Sequence, residues 1–172
     1  DDEPGTGIDP SDPSIQRRKF FIAPSAQKSN DGTTLWADLQ VIGDHCLIYL
    51  AEDEDFSGVK KSDGTDFCSD SSKKISQQKL KLLARSFDEL YSPVTSVMGS
   101  AKITSPVKFS RNNGTSGYGI YENSESKIVI LIYDLFNDKL KGNVIGYFWG
   151  GDLLKQDDLK YSNECKIFSL ET

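Results

Sequence analysis

The sequence has few of the side chains that most often build catalytic or metal sites. Its 172 residues include one histidine, His45, and three cysteines, Cys46, Cys68 and Cys165. A structural zinc site usually needs four closely spaced Cys or His ligands, and a catalytic zinc site commonly uses two or more histidines. Neither pattern is present, so we expect no cofactor in this chain. The cysteines allow at most one internal disulfide, and their pairing stays open.

A catalytic centre of the Ser-His-Asp or Cys-His type could use only His45. This residue stands beside Cys46 at the start of an apolar run, where neighbouring side chains of a strand point to opposite faces. That position favours a structural histidine over a catalytic one.

Long apolar runs and an excess of positive charge are also missing. No run approaches the roughly 20 residues that a membrane helix needs, and no basic and apolar export signal opens the sequence. The chain carries 20 Lys+Arg against 26 Asp+Glu, a formal charge of −6. We therefore expect no transmembrane segment and no nucleic-acid partner.

The first residues are acidic and rich in proline and glycine, a composition that does not bury enough apolar surface to offset the entropy of ordering. We predict a flexible leader over residues 1–16 and a single α+β domain over residues 17–172. A leader of this kind is typical of the segment between a lipid or membrane anchor and a folded domain. The start of an expressed fragment of a longer protein has the same composition.

Alternating apolar residues predict strands at about 33–42 and 45–51, joined as an antiparallel hairpin by a type II′ turn at Gly43-Asp44. The basic and apolar run at residues 17–23 is a candidate first strand. Apolar residues recur every three or four positions from Ser76 to Met98, which indicates one long amphipathic helix with Leu83, Phe87 and Leu90 buried. Residues 127–133 predict a central strand covered on both faces.

The polar connection at residues 52–73 contains Asp63 and Asp66, the weak candidates for a calcium site. The order of acids and glycine there does not match an EF-hand loop, so a solvated acidic loop is favoured. Asp134 and Asp152 each follow a predicted strand. They are candidates for a metal or general-base pair, while turn caps are the alternative.

The stretch from Gly146 to Asp152 places aromatic residues between glycines. Such a stretch is typical either of a bent strand with its rings in the core or of a surface that contacts a ligand. The candidate residues for contact with a substrate or ligand are Gly146, Tyr147, Phe148, Trp149 and Asp152.

The order of several segments resembles a known family. These segments are residues 45–50, the helix with Phe87-Asp88-Glu89-Leu90-Tyr91, residues 128–134, Gly146-Tyr147-Phe148 with Gly151-Asp152, and Ser162-Asn163-Glu164 leading into residues 167–170. Together they resemble the front half of the catalytic domain of hyicolysin-type neutral zinc metallopeptidases. The likeness covers about residues 34–172.

The resemblance implies a mixed sheet with an amino-terminal antiparallel hairpin, packed by one long helix as in the N-terminal subdomain of a zinc metallopeptidase. In that family a helix carrying His-Glu-x-x-His follows, and this sequence ends at Thr172 before it. Zinc is therefore expected only with that following half, and this chain alone should be inactive. The family also implies a sheet edge that takes up the substrate backbone, for which residues 144–149 are the candidate.

Two functions follow from this reading. The first is the non-catalytic N-terminal portion of a secreted or envelope-anchored zinc metallopeptidase-like hydrolase, which contributes a substrate-side sheet edge. The second is a non-enzymatic surface lipoprotein or antigen-type binding domain on the same scaffold. Both imply a peptide or protein partner, an extracellular or cell-envelope location, and association through an exposed face of the carboxyl-terminal part of the sheet.

Overall fold

The computed structural model describes residues 12–22, 34–51, 75–99, 108–110, 116–118, 127–133 and 145–170. These residues form two α-helices, eight strands and one 3₁₀ helix. In chain order they are α1 Pro13–Gln16, β1 Arg17–Phe21, β2 Thr34–Ile42, β3 Cys46–Ala51, α2 Gln77–Met98, β4 Lys108–Ser110, β5 Ser116–Tyr118, β6 Ile128–Ile132, β7 Gly146–Phe148, the 3₁₀ helix Gly150–Leu153 and β8 Ile167–Leu170. No helix among the described residues is long and apolar enough to cross a membrane.

Six strands build one mixed sheet in the order β1-β2-β3-β6-β8-β7. The three central strands β3, β6 and β8 run parallel, and the pairs β1–β2, β2–β3 and β7–β8 are antiparallel. Strands β4 and β5 form a separate antiparallel pair. The α+β class, the amino-terminal hairpin and the central position of β6 are therefore as predicted. All five residues of β6 are buried, as its apolar sequence requires.

The hairpin turn differs from the prediction by one residue. Gly43 N donates to Cys46 O at 2.9 Å, so Asp44 and His45 are the central residues, and Gly43 does not have the positive φ that a type II′ turn needs there. The turn is held instead by distant residues. Asp88 of α2 accepts the N–H groups of Asp44 and His45, each at 2.8 Å.

Helix α2 covers part of one face of the sheet and packs against β2 and β3. Ser76 caps its first turn, and Gly99 ends it with a φ of 91°. Leu80 and Ala84 are buried, while Leu83 and Phe87 are partly buried. The predicted burial of Leu90 is wrong, because the side chain is 62% exposed.

The other face of the sheet is concave and closes on itself. Its apolar cluster combines residues of β1, β2, β3, β6 and β8 with residues next to these strands: Phe20, Ile22, Leu35, Ala37, Leu47, Tyr49, Ala51, Val129, Leu131, Tyr133, Cys165 and Ile167. Asn163, in the loop before β8, bonds to both backbone groups of Phe21 at the far edge of the sheet. The sheet is therefore curled, and the ends of its strand order meet through this loop.

Several expectations lie outside the described residues. They are the leader up to residue 11, the acidic connection with Asp63, Asp66 and Cys68, and Asp134. The last residues of the expected leader form α1, in which Asp12 caps Ser14, and Ile15 O accepts a hydrogen bond from Tyr49 Oη.

Candidate functional site

β7 is at one edge of the sheet, as expected for the segment 144–149. It pairs only with β8 among the described strands, in the register Gly146 with Leu170, Tyr147 with Ser169 and Phe148 with Phe168. An edge strand presents backbone donors and acceptors that can pair with another chain.

The hydrogen bonds of β8 show which backbone groups of β7 face outward. Val129 N and Tyr133 N of the β6 segment donate to Lys166 O and Leu170 O. In the β8 segment, the backbone N–H and C=O groups of the even-numbered residues therefore point to β6, and those of Ser169 point to β7. Ser169 and Tyr147 are thus a hydrogen-bonded pair. The N–H and C=O groups of Gly146 and Phe148 consequently face away from β8.

Among the five expected site residues, Tyr147 and Phe148 have side chains on opposite faces of the sheet. Tyr147 points to the concave core, where its hydroxyl lies 2.7 Å from that of Tyr133. Phe148 points to the opposite face, and 48% of its surface is exposed. Its ring lies 5.6 Å from that of Phe168 on β8, at 41°. The two rings form an exposed pair beside the outward backbone groups.

Gly146 lies close to β8. A Cβ atom at this position would come within 2.7 Å of Leu170 Cδ2 and of Ser169 O. Trp149 lies over Gly151, where an added Cβ atom would overlap its ring. These two glycines permit the close contacts that let the chain leave β7 and enter the 3₁₀ helix.

Asp152 is buried beneath this turn and is 4% exposed. One carboxylate oxygen, Oδ1, accepts both Asn163 N at 2.9 Å and Asn163 Nδ2 at 2.8 Å. Burial raises the pKa of Asp152 to about 6, against the lowering effect of the two Asn163 bonds and of Arg18. These contacts show that Asp152 orients Asn163. The side chain of Phe148 lies on the face of β7 opposite the concave core, so these two candidate residues do not form one surface.

The opposite edge of the sheet, β1, is closed to an incoming strand. Asn163 Oδ1 accepts Phe21 N at 2.7 Å, and Asn163 Nδ2 donates to Phe21 O at 2.8 Å. The same side chain thus pairs with the backbone as a neighbouring strand would. At the other end of β1, Arg17 N donates to Pro13 O of α1. Between these two closed ends, Lys19 is the one residue of β1 whose backbone N–H and C=O groups face outward. Of the two edges, β7 is therefore the better candidate for strand addition.

The remaining candidates occupy structural positions. The ring of His45 stacks on Tyr91 of α2, with centroids 4.0 Å apart. Cys46 is buried in the cluster under α2, and its pKa is raised to about 11, first by burial and then by the nearby Asp88. A thiol with so high a pKa is a poor nucleophile at neutral pH. Within the described ranges, no three His, Cys, Asp or Glu side chains are grouped so that they could hold a metal ion.

Sequence reasoning missed three residues that shape this site: Asn163, Tyr133 and Phe168. Asn163 was part of the family resemblance, but nothing local in the sequence indicates its contact with a strand 142 residues away. Phe168 alternates with the buried Ile167 and Ser169, so its exposure follows from the period of two once the strand is assigned.

No protein-family model matches the chain, and a search of curated proteins found no match.

Proposed function

We propose that this chain binds an extended polypeptide by strand addition at β7. In this proposal it is the non-catalytic N-terminal portion of a secreted or envelope-anchored zinc metallopeptidase-like protein, and β7 is its substrate-side edge. The observation that carries the proposal is the outward direction of the Gly146 and Phe148 backbone groups, beside a strand position that no described strand fills.

The surroundings of β7 support binding of an extended chain. A peptide laid along β7 would bond to Gly146 and Phe148 and place alternate side chains on each face of the sheet. On the face opposite the concave core, the exposed rings of Phe148 and Phe168 would contact those side chains. The backbone would supply affinity, and the aromatic pair would select apolar residues.

The second candidate, a surface lipoprotein or antigen-type binding domain, is supported by a different observation. The concave core is closed by Phe20 and Ile22 of this same chain, both with no exposed surface. The curled sheet therefore has its own core on that face, which suits a binding domain without catalysis. The sequence that the gene encodes after Thr172 separates the two: a His-Glu-x-x-His helix supports the first, and a stop codon supports the second.

A library of blocked, fluorescently labelled octapeptides tests binding at β7 directly. The informative variant is Phe148→Pro, which removes one outward N–H group, and its matched control is Phe148→Ala, which removes the ring and keeps that group. One hydrogen bond contributes about 1 kcal/mol, so fluorescence polarisation should show about fivefold weaker binding by Phe148→Pro than by Phe148→Ala.

Two results would contradict the proposal. One is the absence of binding by any peptide of the library. The other is equal binding by the two variants, with both shown to be folded by circular dichroism, because contact would then involve the side chain and no added strand.

A further inference from the structure

A second surface combines positive charge with aromatic rings, on the face of β1 opposite the concave core. Strand alternation puts Arg17, Lys19 and Phe21 on this face, while Phe20 points into the concave core. Lys19 lies directly across from Trp36 of β2, which is 42% exposed. The Lys19 Nζ atom is 5.9 Å from the centre of the Trp36 ring, and the guanidinium carbon of Arg17 is 6.0 Å from it.

The surface continues past the end of β1. The ring of Phe21 lies 5.6 Å from that of Tyr161, and Lys160 Nζ lies 5.2 Å from the centre of the Tyr161 ring. Trp36 lies across from Lys19, and Tyr161 contacts Phe21 two residues further along β1. We call this set of residues, Arg17, Lys19, Phe21, Trp36, Lys160 and Tyr161, the cationic aromatic surface.

The charge of this surface differs from that of the molecule. Three cations stand here in a chain whose formal charge is −6. Asp38 partly neutralises Arg17 across 3.7 Å. Lys19 and Lys160 are exposed beside their rings. The complementary ligand is therefore an anion that also has an apolar face to pack on the rings.

An added polypeptide strand does not fit here, because Asn163 and Pro13 close the two ends of the β1 edge. A long polyanion such as single-stranded nucleic acid fits poorly, because the three cations of this surface, one of them paired with Asp38, match only a short anionic ligand. A short chain of acidic sugars meets both requirements. Its pyranose rings present apolar C–H faces to Trp36 and Tyr161, and its carboxylates meet Lys19, Lys160 and Arg17.

We propose that the cationic aromatic surface binds an acidic polysaccharide, with uronate rings stacked on Trp36 and Tyr161 and their carboxylates paired with the flanking cations. This surface is separate from β7, and its occupation does not depend on the peptide-binding proposal.

Isothermal titration of the full chain with hexagalacturonate tests this inference at low and at moderate salt. We expect binding that weakens as salt rises, because ion pairs on an exposed surface are screened. Trp36→Ala should weaken binding about tenfold through loss of the stacking platform. Lys19→Gln should weaken it severalfold, whereas Lys81→Gln, which removes an exposed charge from α2, should leave it unchanged.

Maltohexaose, hexaglutamate and a thymidine oligonucleotide are the comparison ligands. The proposal is overturned if hexagalacturonate does not bind, if maltohexaose binds equally well, or if either of the other two anions binds more tightly. It is also overturned if Lys19→Gln and Lys81→Gln have equal effects. Because Lys19 is exposed, its variant should fold even if Trp36→Ala does not, so the comparison remains decisive.

Discussion

Gly43 shows how one residue depends on contacts that are distant in the sequence. An added Cβ atom would lie 2.7 Å from Asp88 Oδ2 and 2.8 Å from Cys46 Sγ. The same Asp88 carboxylate accepts the N–H groups of Asp44 and His45, while Lys127 Nζ donates to Gly43 O and Asp44 O at 2.6 and 2.8 Å. The turn is therefore fixed by a helix and by the residue before β6, and a side chain at Gly43 would displace Asp88 or Cys46.

We predict that Gly43→Ala lowers the free energy of unfolding by about 1–3 kcal/mol, because the new methyl group displaces Asp88 or Cys46. Gly150→Ala is the matched control, since a Cβ atom there meets nothing within 4 Å. Urea denaturation of both variants measures the difference. Equal stability of the two variants would show that the turn adjusts freely to a side chain.

Asp152 leads to a prediction about pH. Its folded-state pKa is about 6 against an ordinary value of 3.8, because burial disfavours the charged form. The folded state therefore binds the proton more tightly than the unfolded state. The stability from this group is complete below about pH 4 and is lost as the pH rises through about 6. The full shift corresponds to at most about 3 kcal/mol.

Asp152→Asn should remove this pH dependence, because the amide does not titrate and its oxygen can still accept from Asn163. The measurement is the difference in unfolding free energy between the natural chain and the variant at pH 4.5 and pH 7. We expect the natural chain to lose stability relative to the variant as the pH rises. A difference that stays constant between these pH values would mean that Asp152 titrates near its ordinary pKa.

At the scale of elements, α2 shows what an apolar period can and cannot predict. Its bounds follow from local signals, Ser76 at the start and Gly99 at the end, and the helix continues through Pro93. Which apolar residues are buried depends on how far the sheet extends beneath them. Asp88 and Tyr91 of α2 contact the turn at Asp44 and His45, where β2 ends and β3 begins. The row of apolar residues on α2 therefore extends past the strands that the helix covers, and Leu90 is exposed.

This difference between the two ends of α2 predicts unequal effects of the same substitution. Leu80→Ala should lower the free energy of unfolding by about 2–5 kcal/mol, because Leu80 is 1% exposed and packs in the cluster under the helix. Leu90→Ala should change it by no more than about 0.5 kcal/mol. Chemical denaturation compares the two. A large loss of unfolding free energy with Leu90→Ala would mean that the apolar residues of α2 near Leu90 are covered in solution.

At the scale of the whole molecule, the sequence pattern predicts a buried β6 but not what covers its second face. The α+β class, the hairpin and the long helix follow from local periodicity, and the edge position of β7 followed from the family resemblance. Curling of the sheet does not follow from either. It depends on Asn163 reaching Phe21 and on the left-handed backbone of Glu164, with a φ of 52°, which lies between Asn163 and the buried Cys165. These are contacts between distant parts of the chain, and periodicity carries no information about them.

Asn163 closes the curled sheet by joining the loop before β8 to β1. Asn163 is 6% exposed, and its side chain joins Phe21 N, Phe21 O and Asp152 in one set of hydrogen bonds. Asn163→Ala would leave these groups without that partner, and a buried polar group without a partner costs about 1–3 kcal/mol. We expect a loss of about 2–4 kcal/mol in unfolding free energy and faster hydrogen exchange at the Phe21 amide, 142 residues away in sequence. Gln156→Ala is the control, because its amide Nε2 donates within the same loop, to Ser162 O at 3.0 Å. If exchange at Phe21 is unchanged in Asn163→Ala, the two edges are joined by apolar packing of the concave core, and Asn163 only orders its own loop.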